Sequence, residues 1–167
     1  MKPNLPNAEA LLSDLAIQLK PLIKPETALV GIHSGGVWLL DRLLPILGAD
    51  IPHGVLDVSF YRDDFQQRGL HTEPKPSQIN FDVKDRHIIL VDDVFYTGRT
   101  IRAAMNELFD YGRPASISLA VLVNRGGREL PIAPQISTYE IDLPINSNLQ
   151  LLRKEDGSFY LQLEESV

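Results

Sequence analysis

The amino-acid sequence predicts an α/β fold with a mainly parallel central sheet flanked by helices. Apolar, β-branched runs ("TALVGI" at 27–32, "HIILV" at 87–91, "ASISLAVLV" at 115–123) alternate with stretches whose apolar residues recur at helical spacing. Two of these runs lead straight into a glycine-bearing loop and then a helical pattern, which gives the order strand, loop, helix. No internal repeat and no linker divides the 167 residues, so one domain over 1–167 is expected, long enough to bury a core without disulfides or a structural metal.

Residues 7–23, "NAEALLSDLAIQLKPLI", place Leu11, Leu12, Leu15 and Leu19 on one helical face, with Asn7 as N-cap, Glu9 in the first turn and an end near Pro21. "TALVGI" is a strand, "HSGG" a loop, and "VWLLDRLLPIL" the next helix. "HGVLDVSFY", 53–61, alternates with period two and reads as a strand. "RDDFQQRGLHTEPKPSQINFDVKD", 62–85, is polar and too long for an ordinary connection, so it is either a functional flap or a disordered insert. "HIILV" is a buried strand, and "GRTIRAAMNELFDYG" a helix with Ile101, Met105 and Leu108 on one face and Gly112 as its stop. After the strand "ASISLAVLV" comes the loop "NRGGRELP". "LQLLRKEDGSFYLQL" forms two alternating runs about Asp156-Gly157, the pattern of a terminal hairpin.

A composition of 44% hydrophobic and 23% charged residues is that of a globular protein, and no apolar run approaches the roughly 18 residues of a membrane span. The first residues, "MKPNLPNAEALLSDLA", lack a secretory signal pattern, so a cytoplasmic location is expected. The absence of cysteine removes disulfides, zinc–thiolate sites and thiol nucleophiles, and His33, His53, His71 and His87 show no metal-ligand spacing. A net charge of −6 opposes nonspecific adhesion to nucleic acid.

In parallel α/β sheets ligands gather where loops leave the carboxyl ends of the strands, which puts "HSGG", "DDVFYTGRT" and "NRGGRELP" along one rim. Asp92 and Asp93 stand at the end of the "HIILV" strand, where both are expected to reach the crevice. Ionised carboxylates only accept hydrogen bonds, and they suit neighbouring hydroxyls such as a ribose diol, or a magnesium ion. The loop after them offers helix N-terminal amides, the glycine Gly98, and the hydroxyls of Thr97 and Thr100, which together make an anion cradle. A diol holder beside a phosphate holder describes a ribose 5-phosphate. A plainer reading makes the aspartates turn caps and Thr97–Thr100 a helix start. Neither a GxxxxGK[ST] loop nor GxGxxG occurs. A receiver-like domain would place its acidic pair after the first strand, whereas Asp92 and Asp93 lie in mid-chain.

"ILVDDVFYTGRT" resembles the phosphoribosyl-diphosphate (PRPP) motif of type I phosphoribosyltransferases. Together with "GIHSGGVWLLDRL", "LDVSFYRDD" and "IRAAMNELFDYGRPASISLAVLVNRGGRELPI", it resembles the PyrR family of bifunctional pyrimidine-operon regulators and uracil phosphoribosyltransferases, over about residues 8–143. The resemblance implies the type I phosphoribosyltransferase fold with a flexible loop over the site, and conversion of uracil and PRPP to UMP and pyrophosphate with Mg2+ bound to the diphosphate. It implies catalytic roles for Asp92 and Asp93 and a 5-phosphate loop of Val94, Phe95, Tyr96, Thr97, Gly98, Arg99 and Thr100. His33, Ser34, Gly35 and Gly36 would form the pyrophosphate loop; the plainer reading is a tight strand-to-helix turn, and the two are compatible. Tyr61, Arg62 and Asp63 would form the base of the flexible loop, with an ordinary solvated pair of Arg62 and Asp63 as the alternative. Asn124 and Arg125 are the candidates for the base pocket. Trp38 is assigned to helix core or subunit packing, and a homodimer or higher homo-oligomer is implied.

The chain departs from the family pattern in ways that bear on RNA. The pyrophosphate loop, with Ser34, Gly35 and Gly36 where the family commonly carries a basic residue, bears instead on the pyrophosphate, whose binding then leans on backbone amides and magnesium. Where the family commonly reads "RGHRELPIR", this chain has Gly127 in place of the histidine and Ala133 in place of the last arginine. The first helix offers only Lys20 and Lys24. Arg128 is a remnant RNA contact, a subunit contact or a surface charge. These losses weigh against RNA binding and favour the enzyme over an attenuation regulator with vestigial catalysis.

Overall fold

A computed structural model describes residues 3–58 and 77–165. Five strands, β1 (Thr27–Ile32), β2 (His53–Leu56), β3 (His87–Phe95), β4 (Ser116–Asn124) and β5 (Ile136–Glu140), form one parallel sheet in the order β2-β1-β3-β4-β5. The inner strands are covered on both faces, which is why they read as near-continuous apolar runs. Their side chains alternate between two cores. Val30, Leu90 and Val121 face one cluster, while Leu29, Val91 and Leu122 face the other.

Helices α1 (Ala8–Leu19) and α2 (Gly35–Leu47) belong to the second of these cores, and α3 (Arg99–Phe109) to the first, through Ile101, Ala104 and Leu108. Asn7 caps α1 as expected, its side chain accepting a hydrogen bond from the Ala10 amide at 3.1 Å. Leu11, Leu12, Leu15 and Leu19 are all buried. Each such leucine contributes about 1.5–3 kcal/mol of transfer free energy, which outweighs the helical propensity of so short a segment. Past Leu19 the helix tightens into a 3-10 turn, Lys20–Leu22, in which Pro21 has no amide to continue the ladder.

The expected terminal hairpin is present: β6 (Ser147–Arg153) and β7 (Phe159–Glu165) pair antiparallel about a turn containing Asp156 and Gly157. It closes over the α1–α2 side. Leu149, Leu151 and Phe159 join the leucines of α1 in one core. Glu9 of α1 binds Arg42 of α2 at 2.6 Å and accepts the Phe159 amide at 3.0 Å, so one carboxylate ties both helices to the hairpin. The hydrogen bond from the Arg42 guanidinium holds the Glu9 carboxyl below its ordinary pKa of 4.5 against the opposing effect of burial, with further help from the Phe159 amide. Trp38 packs at the edge of this core with the Arg153 guanidinium 4.2 Å from its ring centre, consistent with its assignment to packing.

Several element boundaries differ from expectation. The described part of the 53–61 run is a strand only over His53–Leu56. The described end of the 62–85 stretch, from residue 77, is built into the fold. Gln78 and Val55 exchange backbone hydrogen bonds at 2.9 Å, Ser77 Oγ accepts from the Asp57 amide at 3.0 Å, and Val83 is fully buried. Residues 57 and 77 are thereby neighbours beside the β2 edge. A further difference is β5, an edge strand in a stretch between "NRGGRELP" and the terminal hairpin to which the sequence assigns no element. No helix of the described residues is long and apolar enough to cross a membrane.

Candidate active site

The acidic pair lies inside a strand rather than after one. The parallel ladder between β3 and β4 runs on past "HIILV", pairing Asp92 with Val121, Val94 with Val123 and Phe95 with Asn124. The expectation that the pair stands at the strand's end is therefore corrected: β4 offers partners for three further residues, and the aspartates sit on a held backbone. Asp92 is 2% and Asp93 7% exposed. The Asp92 carboxylate accepts from the Asp93 amide and the Asp93 carboxylate from the Val94 amide, each at 2.9 Å. Such local bonds fix both side chains near their own backbone and constrain where their remaining acceptor capacity points.

Asp93 faces the start of α2. That helix begins at Gly35, two residues before the expected "VWLL" start, so the glycines of "HSGG" are its first turn. A methyl group on Gly35 would collide with the Asp93 carboxylate, and one on Gly36 with the Val91 carbonyl. Glycine is what allows the helix end to lie against β3. The amides of a helix's first turn have no intrahelical acceptor, and the partial positive charge of that end is placed beside the carboxylate and the loop. His33 closes β1 by donating its amide to the Leu56 carbonyl at 2.9 Å, and the peptide bond between His33 and Ser34 is cis.

The segment 94–100 continues β3 through Phe95, turns at Tyr96, Thr97 and Gly98, and enters α3 at Arg99. Gly98 has φ +97°, a left-handed conformation that a side chain would strain. Thr97 is buried, and its Oγ1 accepts from the Arg99 amide at 3.2 Å, closing the turn. Its carbonyl accepts from the Glu129 amide at 2.9 Å, and Arg99 forms an ion pair with the Glu129 carboxylate at 2.8 Å. Thr100 is half-buried in the first turn of α3. The result is a short turn over a helix N-terminus, the geometry that binds anions.

Asn124 ends β4, and with Gly126, Glu140, Ile141 and Asp142 it lines a cavity of about 180 Å³. The last three come from the end of β5 and were missed from sequence. The β-branched and aromatic residues Ile136, Thr138 and Tyr139 were the one weak signal for a strand whose end joins the rim. Arg125 was expected in the base pocket, but its guanidinium is 3% exposed and turned into the protein. It donates to the Ser147 carbonyl at 2.7 Å and to the Pro144 carbonyl at 2.9 Å. Arg128 is exposed on the same loop. Tyr61, Arg62 and Asp63 lie outside the described residues.

A larger depression of about 630 Å³ runs along the outer side of α3 between Arg99 and Asp110. It shares Arg99 with the turn but neither aspartate. The rim where β1, β3 and β4 end is the candidate site, at the switch from β1–β2 to β3–β4 in sheet order where ligands of such sheets gather. Among the described residues no group of three or more His, Asp or Glu side chains is placed to hold a metal ion.

Comparison with known proteins agrees with this geometry. Residues 4–150 match the family model described as phosphoribosyl transferase domain. The chain is 49% identical over 162 residues to the "Bifunctional protein PyrR" of Nitrosococcus oceani, covering 93% of this chain and 92% of that protein. It is 46% identical to the protein of the same name from Pseudomonas fluorescens, covering 96% of each. Among solved structures, a hypoxanthine phosphoribosyltransferase from Staphylococcus aureus superposes with a TM-score of 0.64 at 19% identity, over 85% of this chain and 78% of that one. A purine phosphoribosyltransferase from Pyrococcus horikoshii gives 0.59 at 27% identity, over 80% and 82%. With the buried acidic pair, the glycine-hinged turn and the glycine helix start meeting on one sheet rim, the chain belongs to the phosphoribosyltransferase family and, within it, to the PyrR proteins.

Proposed function

We propose that the chain, acting as one domain over 1–167, is a cytoplasmic uracil phosphoribosyltransferase that converts uracil and PRPP to UMP and pyrophosphate. The observation that carries this reading is the adjacency of Asp92 and Asp93 to the Thr97–Thr100 turn on one rigid strand-to-helix unit. In it the two aspartates hold the ribose hydroxyls, and residues 94–100 hold the 5-phosphate. The C1–oxygen bond to the diphosphate breaks while a bond from the uracil nitrogen to C1 forms with inversion, and that nitrogen's proton is lost. Positive charge develops at C1 in between. Two buried carboxylates stabilise it without reorganising, which is worth more in this dry setting than in water.

In this reading the His33–Gly36 segment meets the leaving diphosphate with backbone amides rather than with a basic side chain. Asp92 and Asp93 give two oxygen donors, a set suited to Mg2+ that keeps most of its ligands from water and substrate phosphate rather than from the protein. Bound there with PRPP, the ion would supply positive charge to the diphosphate. Asn124 and the rim of β5 are assigned to the base. The chain is expected to act as a homodimer or higher homo-oligomer.

Incubation with PRPP, Mg2+ and uracil, hypoxanthine, guanine or orotate in turn tests the assignment by following nucleotide formation. UMP as the dominant product is expected. Turnover of another base in preference to uracil, or PRPP binding with no turnover of any base, would overturn it. A second reading has one observation in its favour, the printed description of the relatives as bifunctional. It is control of a pyrimidine operon by RNA binding that responds to UMP and PRPP. The net charge of −6 and the glycine and alanine at 127 and 133 weigh on the other side.

A further inference from the structure

Arg125 is the one charged side chain among the described residues, besides the aspartates of the site, that is more than nine-tenths buried. Burial of a guanidinium is costly unless its donors are used and its charge is compensated. Its main chain joins two segments: the amide donates to the Phe95 carbonyl at 3.1 Å, and its own carbonyl accepts from the Leu143 amide at 3.3 Å. Its side chain joins two more. The fork grips the carbonyls of Pro144 and Ser147, at the entry to β6, and the guanidinium lies 3.9 Å from the centre of the Tyr96 ring. Tyr96 is bounded on another side by Gly127, where a Cβ would come within 2.5 Å of the ring.

These contacts meet on the residue that opens the 94–100 turn. With Phe95 held by the Arg125 amide, Tyr96 by its guanidinium and Thr97 by the Glu129 amide, three successive residues of the turn are fixed by the 125–129 segment. We propose that Arg125 is a positioning residue for PRPP, which holds the 5-phosphate loop through the ring of Tyr96 and anchors that hold to the start of the C-terminal hairpin. This rests on the reading of residues 94–100 as the 5-phosphate loop. Arg125 acts on phosphate affinity through Tyr96 and makes no contact with the base. Gly127 belongs to the same device, because a side chain there would displace the ring.

The test is PRPP affinity, measured by calorimetry with Mg2+, in wild type, Arg125→Lys, Tyr96→Leu and the double variant, alongside KM for PRPP and for uracil and the melting temperature. Lysine keeps the charge but loses the planar fork and the stacking face. Each single variant is expected to bind PRPP roughly ten-fold more weakly, from loss of a desolvated cation–π contact and the order it imposes. The double variant should be no weaker than about two-fold beyond either single one, because both remove the same contact. KM for uracil should stay within about two-fold of wild type on the same grounds. Unchanged PRPP affinity with a lowered melting temperature would make Arg125 a stability residue only. A rise confined to the uracil KM would make it a base contact, and multiplicative losses in the double variant would separate it from Tyr96. Each of these overturns the proposal. If Arg125→Lys does not fold, Tyr96→Leu decides the matter from the other side of the contact. Wild type that binds PRPP but makes no UMP removes the uracil assignment and leaves the clamp to be judged by binding alone. Wild type that binds no PRPP removes the loop assignment, and the clamp with it.

Discussion

The carboxylate of Asp93 occupies the space in which a side chain on Gly35 would stand. A residue 58 positions away in sequence, read as part of a simple glycine loop, is thus what allows the acidic strand and the α2 N-terminus to share one rim. In the proposed reaction those two elements hold the ribose and the leaving diphosphate, so their spacing sets the geometry of bond cleavage. Gly35→Ala forces either the helix or the carboxylate to move, at a cost of about 1–3 kcal/mol in stability. Displacement of a reacting group by about 1 Å is enough to lower kcat/KM on the order of 100-fold. Steady-state kinetics with a parallel thermal melt checks this. A variant with wild-type activity would show that the contact has no part in the site.

Asp92→Asn and Asp93→Asn separate charge from shape. Each carboxylate accepts the amide of the next residue, and an asparagine carbonyl oxygen can keep that bond. The fold should therefore be retained, with a melting temperature near that of wild type. Loss of a preorganised negative charge beside developing positive charge should lower kcat by about 100- to 1000-fold. Near-normal turnover in both variants would return the pair to the role of strand-end caps.

Gly98 enters α3 with φ +97°, and a Cβ there would sit 3.4 Å from that of Leu130, ordinary contact. Space does not forbid alanine; backbone conformation does. Gly98→Ala is expected to cost about 1–2 kcal/mol and to raise KM for PRPP more than KM for uracil, since the turn it distorts is the phosphate cradle. Equal changes in the two KM values would argue against that role of the turn.

RNA binding is expected to lack specificity. Arg128 is exposed, but Glu129 is already paired with Arg99, and Glu140 and Asp142 line the neighbouring cavity. At a net charge of −6 the counterion-release contribution to affinity is small. In a filter-binding or gel-shift titration, leader RNA of a pyrimidine operon should bind no tighter than an unrelated RNA, with or without UMP, while Arg128→Ala leaves UMP formation within about two-fold of wild type. Specific, UMP-strengthened binding that falls steeply with salt would restore the regulatory reading.

Much of this was legible in the sequence because local rules and tertiary packing agree. The leucines of α1, the Asn7 cap, the inner strands and the Asp156-Gly157 turn all follow from periodicity and turn chemistry. The acidic pair and the glycine turn were legible as chemistry. What was not legible depends on neighbours distant in sequence. The extension of β3 through Phe95 needs β4 beside it, and β5 is too short and too polar to announce itself without the rim it joins. Arg125 looked like a ligand contact because a charged residue in a glycine loop is normally solvated; the Tyr96 ring and the carbonyls of Pro144 and Ser147 that bury it come from two other segments.

Glu9 gives the clearest case of such a distant coupling, and it predicts how stability responds to acid. Its carboxylate joins α1, α2 and the hairpin through Arg42 and the Phe159 amide, and these contacts lower its pKa in the folded state below 4.5. A carboxyl with a depressed folded pKa adds stability that is fully present above its unfolded value and is lost as pH falls through the folded one. The Glu9 contribution should therefore be constant near neutrality, start to fall near pH 4.5, and vanish once pH is below the lowered value. Because the Glu9 and Arg42 side chains keep 34% and 41% of their exposure, solvent screening limits the ion pair to about 1 kcal/mol or less. Urea melts of wild type and Glu9→Gln across that range check the sign. The variant should be slightly less stable at neutral pH and the difference should close in acid. A gap that widens as pH falls would mean that Glu9 is not held as the carboxylate, and the clasp on the hairpin would need another explanation.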